Sequence, residues 1–160
     1  MQQIENLNLV GSLTKAVTDV FETMLSMQMK QSNAEELSTL DGERIVGSVS
    51  FAGSLIGNFY IHVSRDFARI MTAVMLGMES DEVKDEDEIN DVVGEMSNMI
   101  GGNLKSGFCD SGMDCELSIP SITNGDDFII SSLNCEKHER LVFYHQRHTA
   151  LVEICLRSDK

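Results

Sequence analysis

The chain has 160 residues, enough for one domain with a sizeable core, since a chain of this length buries roughly 70% of its unfolded surface. Its 42% hydrophobic and 24% charged content is ordinary globular composition, and no stretch has the roughly 20 apolar residues a membrane span needs. Twelve basic against 26 acidic residues give a net charge of −14, which repels phosphate backbones and anionic lipids and disfavours nucleic acid and membrane surfaces as partners.

The opening M-Q-Q-I-E-N-L-N-L-V has no basic start, continuous apolar core or small-residue cleavage site, so a cytoplasmic protein is expected. In that compartment Cys109, Cys115, Cys135 and Cys155, none in a C-x2-C pair, should stay reduced, without a disulfide. With His62, His138, His145 and His148 they offer no zinc-ligand spacing, and no metal is expected.

Ile4, Leu7, Val10, Leu13, Val17, Val20, Phe21, Met24, Leu25 and Met27 recur with helical period over residues 4–30, interrupted near Gly11 and Ser12. This predicts one long helix, or a short one running into a longer one. Residues 31–40 read as a connection, Asp41 and Gly42 as a turn, and residues 44–51 and 55–63 as strands joined through Ala52, Gly53 and Ser54. Ser64 as N-cap and Gly77 as terminator bound a short helix over residues 65–76. Of residues 79–88, seven are acidic; they read as a solvated run leading into the next helix, where they favour the positive end of its dipole.

The central element is a helix over residues 85–105. Ile89, Val92, Val93, Met96, Met99, Ile100 and Leu104 form its buried stripe, and Asp91, Glu95 and Asn98 share the opposite ridge at i, i+4 and i+7. Gly102 and Lys105 extend that ridge, with Gly94, Ser97 and Gly101 beside it. Glycine inside a helix costs about 1 kcal/mol relative to alanine, so these glycines need a reason: close packing, or a low surface on which a partner can settle. Strands are expected over residues 114–119, 127–133, 140–146 and 149–157, with turns at residues 124–126 and near Arg147 and His148. The last strand is aliphatic on both faces, as in a central or doubly covered strand.

Residues 19–27 can be laid over residues 91–99, each copy passing into a hairpin, with Thr23 and Ser26 where the second copy has Glu95 and Asn98. The fold expected is α+β in two layers, a mixed sheet with two long helices on one face, built from two similar halves.

Asp91, Glu95 and Asn98, followed by the chain's one proline, Pro120, resemble the Asp/Ser-x3-Glu-x2-Asn signature with downstream proline of the CheC/CheX/flagellar-switch family. The duplicated halves resemble that family too, and a single acid–amide pair resembles its CheX members. The resemblance implies a phosphatase acting on the aspartyl phosphate of a CheY-like response regulator. Asn98 would orient the attacking water, a role an amide can fill because it both donates and accepts hydrogen bonds. Glu95 would engage the regulator's lysine, with Asp91, Gly94, Gly101 and Gly102 as partner contacts. The Mg²⁺ would be the regulator's own, and the chain itself needs no cofactor. A homodimer through sheet edges is implied as well. The alternative is a non-catalytic module of the same fold that binds a regulator or the flagellar switch.

Overall fold

In the computed structural model, which describes residues 2–32, 43–126 and 134–159, capping chemistry sets the helix boundaries. After the single turn α1 (Gln2–Glu5), Asn8 caps α2 (Leu9–Leu25) by accepting from the Gly11 amide at 3.1 Å. The interruption expected at Gly11 and Ser12 therefore falls earlier, where Asn8 supplies the oxygen that an orphan amide needs. Ser64 caps α3 (Arg65–Leu76) through the Phe67 amide at 3.0 Å and left-handed Gly77 ends it, at the expected bounds.

Asp85 caps α4 (Glu86–Asp110) by accepting from the Asp87 amide at 2.9 Å. The helix runs past residue 105 because Phe108, buried beneath it, continues the apolar stripe and stacks edge-on with Phe51, ring centroids 5.4 Å apart. The acidic run is more ordered than a solvated linker. Residues Ser80–Glu82 form a 3-10 turn, and Arg65 pairs with Glu43 at 3.2 Å and with Glu86.

The strands are β1 (Lys30–Ser32), β2 (Glu43–Gly53), β3 (Leu55–Ser64), β4 (Cys115–Leu117), β5 (Ser121–Asp126), β6 (Lys137–His145) and β7 (His148–Ser158). They form one sheet in the order β1-β6-β7-β3-β2-β4, with β5 also pairing β2. Every pairing is antiparallel, which corrects the expected mixed sheet. The chain leaving β3 passes through α3 and α4 to the far side of β2, so no parallel strands become neighbours.

Two further expectations are corrected. Residues 31 and 32, read as connection, belong to β1, which pairs with β6. Residues 124–126, read as a turn, lie in β5, with Asn124 opposite Ile45 and Gly125 opposite Arg44; pairing with the long strand β2 overrides the local turn preference. The strand expected over residues 127–133, the turn at residues 41–42 and most of the 31–40 connection lie outside the described residues.

The two hairpins β2–β3 and β6–β7 meet at β3 and β7, each following its own helix. Each half lends a short strand to the other's hairpin, β1 to β6 and β5 to β2. One face of the sheet supplies Val49, Phe59, Ile61, Phe143, Val152 and Ile154 to a core closed by Val17, Phe21, Phe67, Val93, Met96 and Ile100 of the helices. Residues 150–156 of β7 are buried on both faces, as its double apolar pattern implies. Among the described residues no helix is long and apolar enough to cross a membrane.

The expectation of free cysteines is corrected in part. Cys135 and Cys155 form a disulfide, Cα atoms 5.3 Å apart, while Cys109 and Cys115 are free. The β6–β7 register sets His138 opposite Cys155, and the Glu136 amide donates to Leu156 O at 2.9 Å, which folds Cys135 back onto β7. Linear spacing carries no trace of that register.

Candidate active site

The apolar stripe of α4 is buried as its periodicity requires: Val93, Met96 and Ile100 are fully covered. The helix comes close to the sheet over Gly47 of β2. A Cβ there would overlap the Ser97 hydroxyl and lie 3.1 Å from Val93 Cγ1 and 3.2 Å from the Val93 carbonyl oxygen. Ser97, expected beside the ridge, is buried at this contact and donates to Val93 O at 2.8 Å. The opposite ridge carries Asp91 and Glu95, both exposed, and Asn98, partly exposed. Among the described residues no hydrogen bond or ion pair engages Glu95 or Asn98.

The three ridge glycines separate. Gly102 has open space where a Cβ would stand. Gly101 is buried, its missing Cβ 2.6 Å from Val49 Cγ2 and 3.2 Å from Leu117 Cδ1, and Gly94 is buried too, but a Cβ on it would stand 3.6 Å from Pro120 Cγ and Ile122 Cδ1, an ordinary contact. Gly101 therefore serves close packing, Gly94 has room for a methyl, and burial rather than exposure is the finding for both where contact-surface positions were expected. Lys105, expected to extend the ridge, pairs with Glu116 of β4 at 3.3 Å. Asn124 of β5 donates to Asn90 of α4 at 3.3 Å. The edge strand is thus tied to the helix on either side of Glu95 and Asn98.

That edge strand is interrupted beside the ridge. Leu117 stands opposite Phe51 and Ser121 opposite Ser48, so from one pair to the next β2 advances three residues and the edge strand four. The extra residue is a bulge, a feature that re-aims side chains at strand edges. It holds Pro120, which has no amide to give to a ladder, and brings the proline ring against Gly94, next in sequence to Glu95. The residue that sequence reasoning missed is Ile119, which the bulge turns outward to 85% exposure. The available signal was an isoleucine placed directly before the one proline.

A second charged cluster lies across the sheet. Glu153 of β7 is buried, with His62 Nε2 and Arg140 Nη2 each 3.1 Å away and His138 Nε2 at 3.4 Å. Burial pushes its carboxyl up, but His62 and Arg140 outweigh that and hold it well below the usual range, at about 2. Among the described residues no group of three His, Cys, Asp or Glu side chains is placed to hold a metal ion.

An unengaged acid and amide one turn apart, on a helix backed by an antiparallel sheet and flanked by an edge-strand proline, define a protein that carries a protruding polar ridge. The chain belongs to the CheX family: the family of the chemotaxis phosphatase CheX matches residues 45–144, which include the ridge and Pro120. The fold is similar to that of chemotaxis protein CheX from Vibrio vulnificus, at 25% identity and TM-score 0.79, covering 94% of this chain and 97% of that one. It is also similar to CheX from Desulfovibrio desulfuricans, at 23% identity and TM-score 0.79, covering 94% and 100%. A CheX–CheY–BeF3–Mg²⁺ complex from Borrelia burgdorferi is similar at 19% identity and TM-score 0.73, covering 93% and 97%. No curated protein matches the chain.

Proposed function

We propose that this protein hydrolyses the aspartyl phosphate of a phosphorylated CheY-type response regulator, with Asn98 holding the attacking water and Glu95 engaging the regulator's active-site lysine. The observation that carries this reading is the pair itself, standing on the ridge of α4 with no partner among the described residues. Membership of a chemotaxis phosphatase family and the likeness to a CheX protein solved with CheY support it.

An amide is neither a base nor a nucleophile at neutral pH, but its carbonyl accepts and its NH2 donates, which suffices to aim a water molecule. The water oxygen forms the new bond to phosphorus as the bond from phosphorus to the aspartyl oxygen breaks. The bonding pair leaves with the aspartate as carboxylate, and the water's proton ends on the phosphate product or in solvent. Charge on the transferring phosphoryl group is met by the regulator's own Mg²⁺, so this chain supplies position. Asp91 and Gly102 lie on the same ridge and border the contact. The same reading includes a homodimer through a sheet edge, which light scattering checks.

The test is the decay of an acetyl-phosphate-labelled CheY-type regulator from the same genome in the presence of substoichiometric protein. Loss of one positioned hydrogen-bonding group costs on the order of 10²-fold in rate, so Asn98→Ala is expected to abolish measurable turnover. Its melting temperature should hold, because Asn98 makes no hydrogen bond to lose among the described residues and alanine favours a helix. Glu95→Ala is expected chiefly to raise KM. Turnover by Asn98→Ala at the wild-type rate would sink the assignment.

A further inference from the structure

The bulge leaves one apolar side chain in water. Ile119 is 85% exposed, against 46% for Leu76, the next large hydrophobic among the described residues. A lone exposed apolar residue ordinarily needs no explanation. This one is held in place from both sides. The Ser118 amide donates to Ser50 O at 2.9 Å, and the Ser118 hydroxyl accepts from the Ser50 amide and donates to the Ile119 carbonyl, each at 2.9 Å. On the other side Pro120 has its φ fixed by its ring, confines Ile119 to extended backbone, and rests against Gly94. Ile119 is thereby kept from folding back onto the core.

We propose that Ile119 is an apolar docking residue for the response regulator, seating against apolar side chains that border the regulator's phosphorylated aspartate while Asn98 reaches the phosphate and Glu95 the active-site lysine. This rests on the phosphatase reading above. Ile119 lies close to the pair along the chain of contacts: Pro120, the next residue, packs over buried Gly94, which directly precedes Glu95 and lies one helical turn before Asn98. A partner that covers the pair comes down on the same rim. Stable contacts set an apolar anchor beside polar groups, and a pre-positioned anchor adds affinity because little freedom is lost on binding. Glu95 and Asn98 supply the polar part, and Ile119, linked to them through Pro120 and Gly94, supplies the apolar one.

The experiment separates KM from kcat. Ile119→Ser and Ile119→Leu are assayed with the acetyl-phosphate-labelled CheY-type regulator of the same genome, alongside titration of that regulator in its beryllofluoride–Mg²⁺ form. Ile119→Ser is expected to raise KM and Kd about tenfold at unchanged kcat and melting temperature, and Ile119→Leu to stay close to wild type. Unchanged KM and Kd in Ile119→Ser, or a fall confined to kcat, would overturn the docking role. If the wild type itself fails to dephosphorylate the regulator, the phosphatase reading fails separately, and the titration alone decides for or against Ile119.

Discussion

Gly47→Ala tests whether the position of the acid–amide pair depends on how closely α4 approaches the sheet. The added methyl would overlap the Ser97 hydroxyl and stand 3.2 Å from the Val93 carbonyl oxygen, a main-chain atom that moves only with the helix. Ser97 can rotate away, but its buried hydroxyl then loses the 2.8 Å bond to Val93 O, a cost of about 1–3 kcal/mol. Alternatively α4 lifts, at an overpacking cost of about 1–3 kcal/mol. Alanine returns roughly 0.5–1 kcal/mol relative to glycine in a strand. A net loss of about 1 kcal/mol is expected, which lowers the melting temperature of a chain this size by roughly 2–4 °C.

The assay is a double-mutant cycle of Gly47→Ala with Ser97→Ala, followed by urea denaturation and by turnover of phosphorylated regulator. Removing the hydroxyl leaves the new methyl only the tight Val93 contacts, so the double variant should be at least about 1 kcal/mol more stable than the two single losses predict. Ser97 lies between Glu95 and Asn98 in sequence, so lifting the helix moves the pair. kcat/KM should therefore fall in Gly47→Ala and partly recover in the double variant. Additivity within about 0.5 kcal/mol, or full activity in Gly47→Ala, would refute the claim that this contact positions the ridge.

Two further outcomes follow from the far side of the sheet. Glu153 is held at about 2 against an ordinary 4.5, so its contribution, on the order of 3 kcal/mol, is present above 4.5 and lost as pH falls toward 2. Glu153→Gln should thus be less stable than wild type at pH 6 in urea, with the gap narrowing by roughly half at pH 3; a constant gap refutes the pairing. Cys135→Ser removes a bridge between residues 20 apart in sequence, a loop worth about 3 kcal/mol. Reductant should lower the wild-type melting temperature to that of the variant and leave the variant unmoved; insensitivity of the wild type to reductant refutes it.

Where structure is set by neighbours along the chain, the sequence is readable. Ser64 and Gly77 bound α3 chemically, and the acid–amide ridge of α4 follows from helical period alone. Where structure is set by pairing, it is not. β1 is the polar tripeptide Lys30–Ser32, without alternation, and exists because β6 offers it an edge. Asn124 and Gly125 carry a turn signal that pairing with β2 overrides. Gly101 could be assigned to packing or to a surface, and only the positions of Val49 and Leu117 show that it serves packing. Ile119 became conspicuous only with the bulge, which is a difference between two registers and so is invisible in either strand alone.

The duplication also explains why the pair occurs in one half and not the other. The positions overlaid on Glu95 and Asn98 are Thr23 and Ser26, and the difference is more than side-chain chemistry. α2 ends at Leu25, and Ser26 stands in the left-handed conformation at φ 53°, its amide closing back on Glu22 O at 3.0 Å. A left-handed residue departs from the helical rise and rotation that bring i and i+3 onto one face, so Thr23 and Ser26 do not form a ridge. α4 continues from Asn98 to Asp110, about three more turns, and is fastened to the edge strand through Asn90 and Lys105 on both sides of the pair. The second half therefore owns both the side chains and a rod stiff enough to hold them apart from the sheet, while the first half has been left with a shorter helix that closes the core.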